Sequence, residues 1–369
     1  MITYLGIIAV GMIVRQVDRW QFSPNRGRHR PGTLREVMSL QRERINNVTP
    51  LLLLAGHWVE LAGWCLIAAE TGPWGWAAAA MAGAVKMRHL QEVSHFAVHG
   101  VLTRSSRLGT VLSEVAVHLP LGFVPVPIRR QRHVREHHPN ATVVGLDPNL
   151  GDLHQAGLLP GVRRLRFALA LVFPLTPAGF AFTMHSIAAN LRTSAAPWWR
   201  LAALLAVPAV LGWTVGWPAA VAVFVVPRLL LYPQLSWMSL LVEHTWFDAE
   251  TVTGPPAAVE AARCLRLYPQ NLPLALVARA TWLPYGDLFH YAHSAHPSVR
   301  WNYLPALERH LTPPHFTPDG LAFGPNTVAR RHHGALDALA DTGRQPLPGS
   351  AEAPEPGAVP DTRTWLVRK

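Results

Sequence analysis

Two pairs of long apolar runs constrain this chain more than any other feature. LLLLAGHWVELAGWCLIAAE (51–70) is followed, after Thr71 and Gly72, by PWGWAAAAMAGAVKMRHL (73–90). Farther on, 201–216 and 218–235 repeat the arrangement with Trp217 between them. Such runs approach the roughly 20 residues that carry a helix through a bilayer. Inside a bilayer, backbone N–H and C=O groups must find partners within the protein, which leaves helices and closed barrels. The expected fold is therefore an all-α integral membrane protein. It has about four transmembrane helices, interfacial helices and a His-rich cap. Composition agrees: 15% of residues are charged, and Trp occurs 14 times. A soluble domain carries roughly 25% charge, and Trp gathers at membrane interfaces.

The formal net charge of +11 raises nucleic acid as a partner. No nucleic-acid motif accompanies it, and the arginines cluster beside apolar runs, at 15–44, 129–135 and 163–166. That is the pattern of a positive-inside membrane protein. The opening MITYLGIIAVGMIV lacks a basic leader and a cleavage site. It is also short for a span, so an interfacial or partly inserted helix is expected. Cys65 and Cys264 make no framework, and Cys65 reads as a small core residue. Three parts follow: a basic, interfacial segment over 1–50, a membrane-embedded catalytic domain over 51–310, and a Pro-rich, largely irregular tail over 311–369.

Histidine carries the chemistry. QEVSHFAVHGVL places His95 and His99 four apart, and RQRHVREHHPN places His133 and His137 four apart with His138 beside them. SLLVEHTWFD holds His244, and FHYAHSAHPSVRWNYLPAL holds His290, His293 and His296 at steps of three. On a helix, residues three or four apart share a face, so each multi-His stretch can aim two imidazoles at one point. Imidazole suits iron, copper, zinc and nickel. Thiolates, which oxidise readily, are missing from these clusters. Eight or nine histidines exceed one tetrahedral zinc and suit two octahedral irons with open positions. His57, His118 and His185, single in apolar stretches, read as structural. His89 stands at an awkward helical angle to His95 and is left out. If the histidines near 95, 135 and 293 build one site, they lie on one side of the membrane. An even number of crossings then separates each pair. The stretch 108–127 should therefore not cross, and of the three later apolar stretches 201–216 and 218–235 are favoured over 167–184.

These boxes resemble those of the integral-membrane fatty acid desaturase and hydroxylase superfamily. HFAVHGVL is similar to its first box and HVREHH to its second. HSAHPSVRWNYLPAL, with the preceding HYA, is similar to the third, and VEHTWF to an additional EH segment. The resemblance spans roughly residues 50 to 310. It implies two non-haem irons held by His95, His99, His133, His137, His138, His244, His290 and His293, with no catalytic residue beyond the ligands. It also implies a multi-pass placement in a bacterial inner membrane with the centre cytoplasmic. Ser294 stands where the third box should end in His, so either His296 or a water completes that iron. Leu240 stands where family members often carry Asn. Glu92, Glu136, Asp147, Glu243 and Asp287 are suited to receive the outer N–H of iron-bound imidazoles, as such rings usually require.

By the same resemblance, two electrons and O2 serve to remove hydrogen from an unactivated C–H bond. Loss of a second hydrogen gives an alkene, and oxygen transfer gives an alcohol. Desaturation of a lipid acyl chain is the leading expectation. The alternative is a hydroxylase or ketolase acting on fatty acid, alkane or carotenoid. No flavin or dinucleotide fingerprint, CxxC pair or fused cytochrome motif is present. The electron donor is thus a separate ferredoxin, rubredoxin or cytochrome with its reductase, an acidic one docking by charge complementarity. A metal transporter is the competing class, but transporters place their ligands near the midplane of the spans, and these lie at span ends. An iron-free relic, suggested by Ser294, is the third reading.

Overall fold

The computed structural model describes residues 2–21, 34–248, 252–267, 271–324 and 326–342. Among them the fold is helical and has no strand, only isolated bridges. Helix α1 (Ile2–Gln21) lies along α2 (Thr49–Val98). α2 is two helices joined at Gly72, whose φ of 66° is left-handed and suits glycine. Pro73 follows at once and cannot continue the first helix's bonding. The halves run antiparallel. Trp76 Nε1 donates to the Ala68 carbonyl at 2.9 Å, Lys86 pairs with Glu60, and the His57 and His89 rings meet at 5.3 Å.

Three helical stretches are long and apolar enough to cross a membrane: Arg44–Val98, folded at Gly72, then α7 (Pro197–Val215) and α8 (Trp217–Glu243). The two favoured later runs thus both lie in crossing-competent helices. Trp74, Trp213 and Trp217 stand exposed at the tips of the two hairpins, with Trp198 and Trp199 at the opposite end of α7. Trp is a residue that gathers at membrane–water interfaces. The run 108–127 is not straight. It divides into α3 (Ser106–Leu121) and α4 (Val126–Asn140), which turn by 98° across a short break. Gly122, at φ 64°, makes that turn. The run 167–184 is interrupted at Pro174 and Pro177 before α6 (Pro177–Arg192).

Within a bilayer there is no hydrophobic drive between helices, so close backbone approach holds them together. A Cβ built on Gly11 would lie 2.7 Å from the Gly56 carbonyl oxygen, and one on Gly56 2.6 Å from that of Gly11. A Cβ on Gly63 would lie 2.6 Å from Ile8 Cγ1. These contacts clamp α1 to the first half of α2. The opening segment is thus a 20-residue packed helix, though not one of the three crossing-competent stretches. Gly83 does the same work in the second half, against the backbone of Val223 in α8.

Part of the tail is helical. Thr327 caps α11 (Val328–Asp341), its side chain accepting from the Arg330 N–H. Val328, His332, Leu336 and Leu339 are buried on one face at helical spacing. Leu336 and Leu339 join Leu150, Leu153, Phe167, Trp237 and Trp246 in a second apolar cluster. The surrounding prolines hid a short amphipathic period. Residues 343–369 lie outside the described residues, as does 22–33 of the basic segment.

Candidate metal centre

The histidines converge where the two hairpins return. α2 carries His95 and ends at His99 as its C-cap. The last turns of α4 carry His133, His137 and His138. His244 follows α8 in extended backbone, and α10 (His290–Ala295) carries His290 and His293. Ligand-capable atoms fall into groups whose members lie within 4.8 Å of one another. The first is His95, His99, His133 and His293; the second is His137, Glu243, His244 and His290. His138 lies against the first, its Nε2 3.4 Å from that of His99 and its ring 4.6 Å from the His133 ring. His296 enters neither group. It caps α10 with φ −140°, where the helix has already unwound.

Only His95 and His99 keep to a single group as a pair. His133 and His137 divide between the two, as do His290 and His293. For the former the cause is local: Gln131–His137 forms a widened, π-helical turn, which changes the angle between successive side chains. Such turns recur at functional sites. The divided pairs also link the groups. The His133 and His137 rings are 5.2 Å apart and the His290 and His293 rings 5.8 Å apart.

Carboxylates hold the outer nitrogens. His95 Nδ1 lies 3.2 Å from Glu92 Oε1, and His137 Nδ1 lies 2.9 Å from Asp147 Oδ1. Asp147 is itself fixed as the N-cap of α5 (Pro148–Gln155). It accepts the backbone N–H groups of Asn149 and Thr142, each at 2.9 Å. Of the other suited carboxylates, Glu243 stands among the second group's ligand atoms. Asp287 instead accepts from Arg88 and from Ser239, and Glu136 accepts from Gln131 at 3.4 Å.

Two residues had no sequence signal. Glu260 and Cys264 close a third group with His244. An isolated antiparallel bridge between His244 and Cys264 brings them in. His244 Nδ1 faces Cys264 Sγ at 3.4 Å and the Arg263 carbonyl at 3.3 Å, so these contacts orient the ring from behind. Glu260, on α9 (Pro256–Arg263), accepts from Ser294 Oγ at 2.8 Å. Ser294 therefore serves that carboxylate and does not face the ring nitrogens.

The donor set fits metal. Burial first, and then neighbouring imidazoles, hold His244, His290 and His293 well below the ordinary imidazole range, so they are neutral donors. His95 Nε2 is 2.6 Å from His133 Nε2 and 3.1 Å from His99 Nε2, and His290 Nε2 is 3.2 Å from His244 Nε2. Two nitrogens bound at right angles, each about 2.1 Å from an ion, stand about 3 Å apart. His137 Nε2 and both ring nitrogens of His293 are buried without a hydrogen-bond partner. Each orphan costs about 1–3 kcal/mol in a buried site, a cost a bound cation removes. Nitrogen donors with one carboxylate suit a borderline, redox-active metal.

The family model described as Fatty acid desaturase matches residues 71–324, from the hairpin turn through both histidine groups. No curated protein matches the chain.

Proposed function

The chain belongs to the fatty acid desaturase family, and on that premise we propose that it is an O2-dependent di-iron enzyme that desaturates an acyl chain drawn from the membrane. The observation that carries this reading is the pairing of two adjoining histidine groups, each with buried ring nitrogens left without a protein partner. His95, His99, His133 and His293 would hold one iron, and His137, His244, His290 and Glu243 the other, with His138 beside the first. When bound, the irons supply activation of O2 and removal of hydrogen from an unactivated C–H bond. Glu92 and Asp147 fix the tautomers and orientations of His95 and His137, leaving each Nε2 free to bind. A cavity of about 500 Å³ borders the centre, with His95, His133 and Glu243 in its wall. It would position one carbon of the substrate and limit water.

The centre is proposed to face the cytoplasm. Arginines flank the same ends of the helices as the histidines, as the positive-inside pattern requires. Exposed Arg132 and Arg135 beside the second box suit an acidic electron donor. Expression in a host of known lipid profile, followed by mass spectrometry, tests the reaction. Desaturation is read as loss of two hydrogens from a host chain. Gain of one oxygen atom instead would assign the hydroxylase outcome, and an unchanged profile from iron-loaded protein would contradict both.

A further inference from the structure

The cavity beside the centre is more polar than an alkyl chain requires. Phe173, Phe182 and Trp237 form apolar wall, but Arg88, Arg129, Arg132 and Arg228 also line it. Arg88 is satisfied within the protein by Asp287, Glu92 and Ser239, and Arg132 is exposed. Arg129 and Arg228 remain. Arg228 is only 5% exposed, although α8 is a candidate span. Its Nε donates to the Leu121 carbonyl, and its guanidinium carbon stands 5.4 Å and 5.5 Å from the Phe123 and Tyr232 ring centroids. Arg129 donates through Nη1 to Ser94 Oγ at 2.9 Å. Among the described residues, neither has a carboxylate within ion-pair distance. Of the carboxylates lining the cavity, Glu92 and Asp287 are engaged by Arg88, and Glu243 belongs to the second histidine group. Glu136 and Asp152 are only partly buried.

A charged side chain inside a span is costly, and it normally has a partner or a function. Aromatic faces compensate Arg228 in part, but its terminal nitrogens make no hydrogen bond to the described protein. Arg228 also sits in a widened turn, Pro227–Leu231, like that which carries His133 and His137.

We infer that Arg228 receives the anionic end of the substrate, a carboxylate or phosphate borne on an alkyl chain, and that Arg129 adds to the positive charge of the same cavity. This rests on the oxidative reading above and narrows its substrate class. His95 and His133 line the same cavity as the two arginines, so the acidic end and the oxidised carbons would share one pocket.

The test is equilibrium binding to the purified, iron-loaded enzyme in detergent, with decanoate, decyl phosphate and decanol as probes. A charge-assisted, bidentate contact predicts that at least one acid binds roughly 10- to 100-fold more tightly than the alcohol. Arg228→Gln should remove most of that preference, and Arg228→Lys should keep part of it. Preference for decanoate over decyl phosphate identifies a carboxylate substrate, and the reverse a phosphate. Equal binding of acids and alcohol to the wild type overturns the inference. So does a preference that survives in both Arg228→Gln and Arg129→Gln. If Arg228→Gln does not fold, the wild-type comparison and Arg129→Gln decide. A protein that holds two irons and oxidises a chain, yet shows no preference for acids, defeats this inference alone.

Discussion

Replacing His293 with alanine is expected to remove one metal ion and to lower product formation by at least about 100-fold. Loss of a mere orienting partner typically costs 10- to 100-fold in metal affinity or activity, and the role proposed for His293 is direct ligation. Its ring lies 4.8 Å from that of His95 and 4.6 Å from that of His99, and both its nitrogens are buried without a protein partner. The same substitution should not damage the fold. An imidazole left unsatisfied in the apo protein contributes nothing by hydrogen bonding, so the metal-free variant should melt close to metal-free wild type. Metal analysis and lipid analysis on the same preparation check this. Full metal content with full activity would remove His293 from the centre. His290→Ala should take the other ion, because His290 belongs to the other group.

The largest expected loss of stability comes from Asp18→Ala. Asp18 on α1 pairs with Arg300, and both are fully buried. Arg300 lies in the strap that follows the last histidine stretch. Gln41 secures that strap as well, donating to the Ser298 carbonyl at 3.0 Å and accepting from the Arg300 N–H. Removing one partner of a buried ion pair leaves an uncompensated charge and costs about 3–5 kcal/mol. In a chain of this size that is a fall in melting temperature of roughly 5 °C. Replacing both, Asp18→Leu with Arg300→Met, should recover most of the loss, since well-packed apolar pairs often match buried ion pairs. Thermal unfolding in detergent of the single and double variants measures the coupling directly. Asp18→Ala melting with the wild type would show that the pair does not tie α1 to the strap.

What was legible in the sequence was what local periodicity and solvent dictate. Two apolar hairpins, a break at Gly72 and imidazoles at span ends follow from bilayer thickness and helical spacing. His95 and His99 share a group because they sit one turn apart on an ordinary helix. The rest depends on long-range packing. A widened turn sends His133 and His137 to different groups, and no residue in RQRHVREHH announces it. Glu260 sits on a short amphipathic helix of unremarkable sequence. Only the backbone bridge from His244 to Cys264 carries it behind the centre. Ser294, which departs from the expected box, faces that carboxylate, while Glu243 stands among the second group's donors. His296 fits the spacing of the box, but the end of its helix turns it away from both groups.

The central claim is that four distant stretches of the chain together hold two ions. Elemental analysis of the full-length protein, purified from iron-replete cells and washed of loosely bound metal, tests it most directly. Two irons per chain are expected. One iron, none, or a different metal at full occupancy would contradict it.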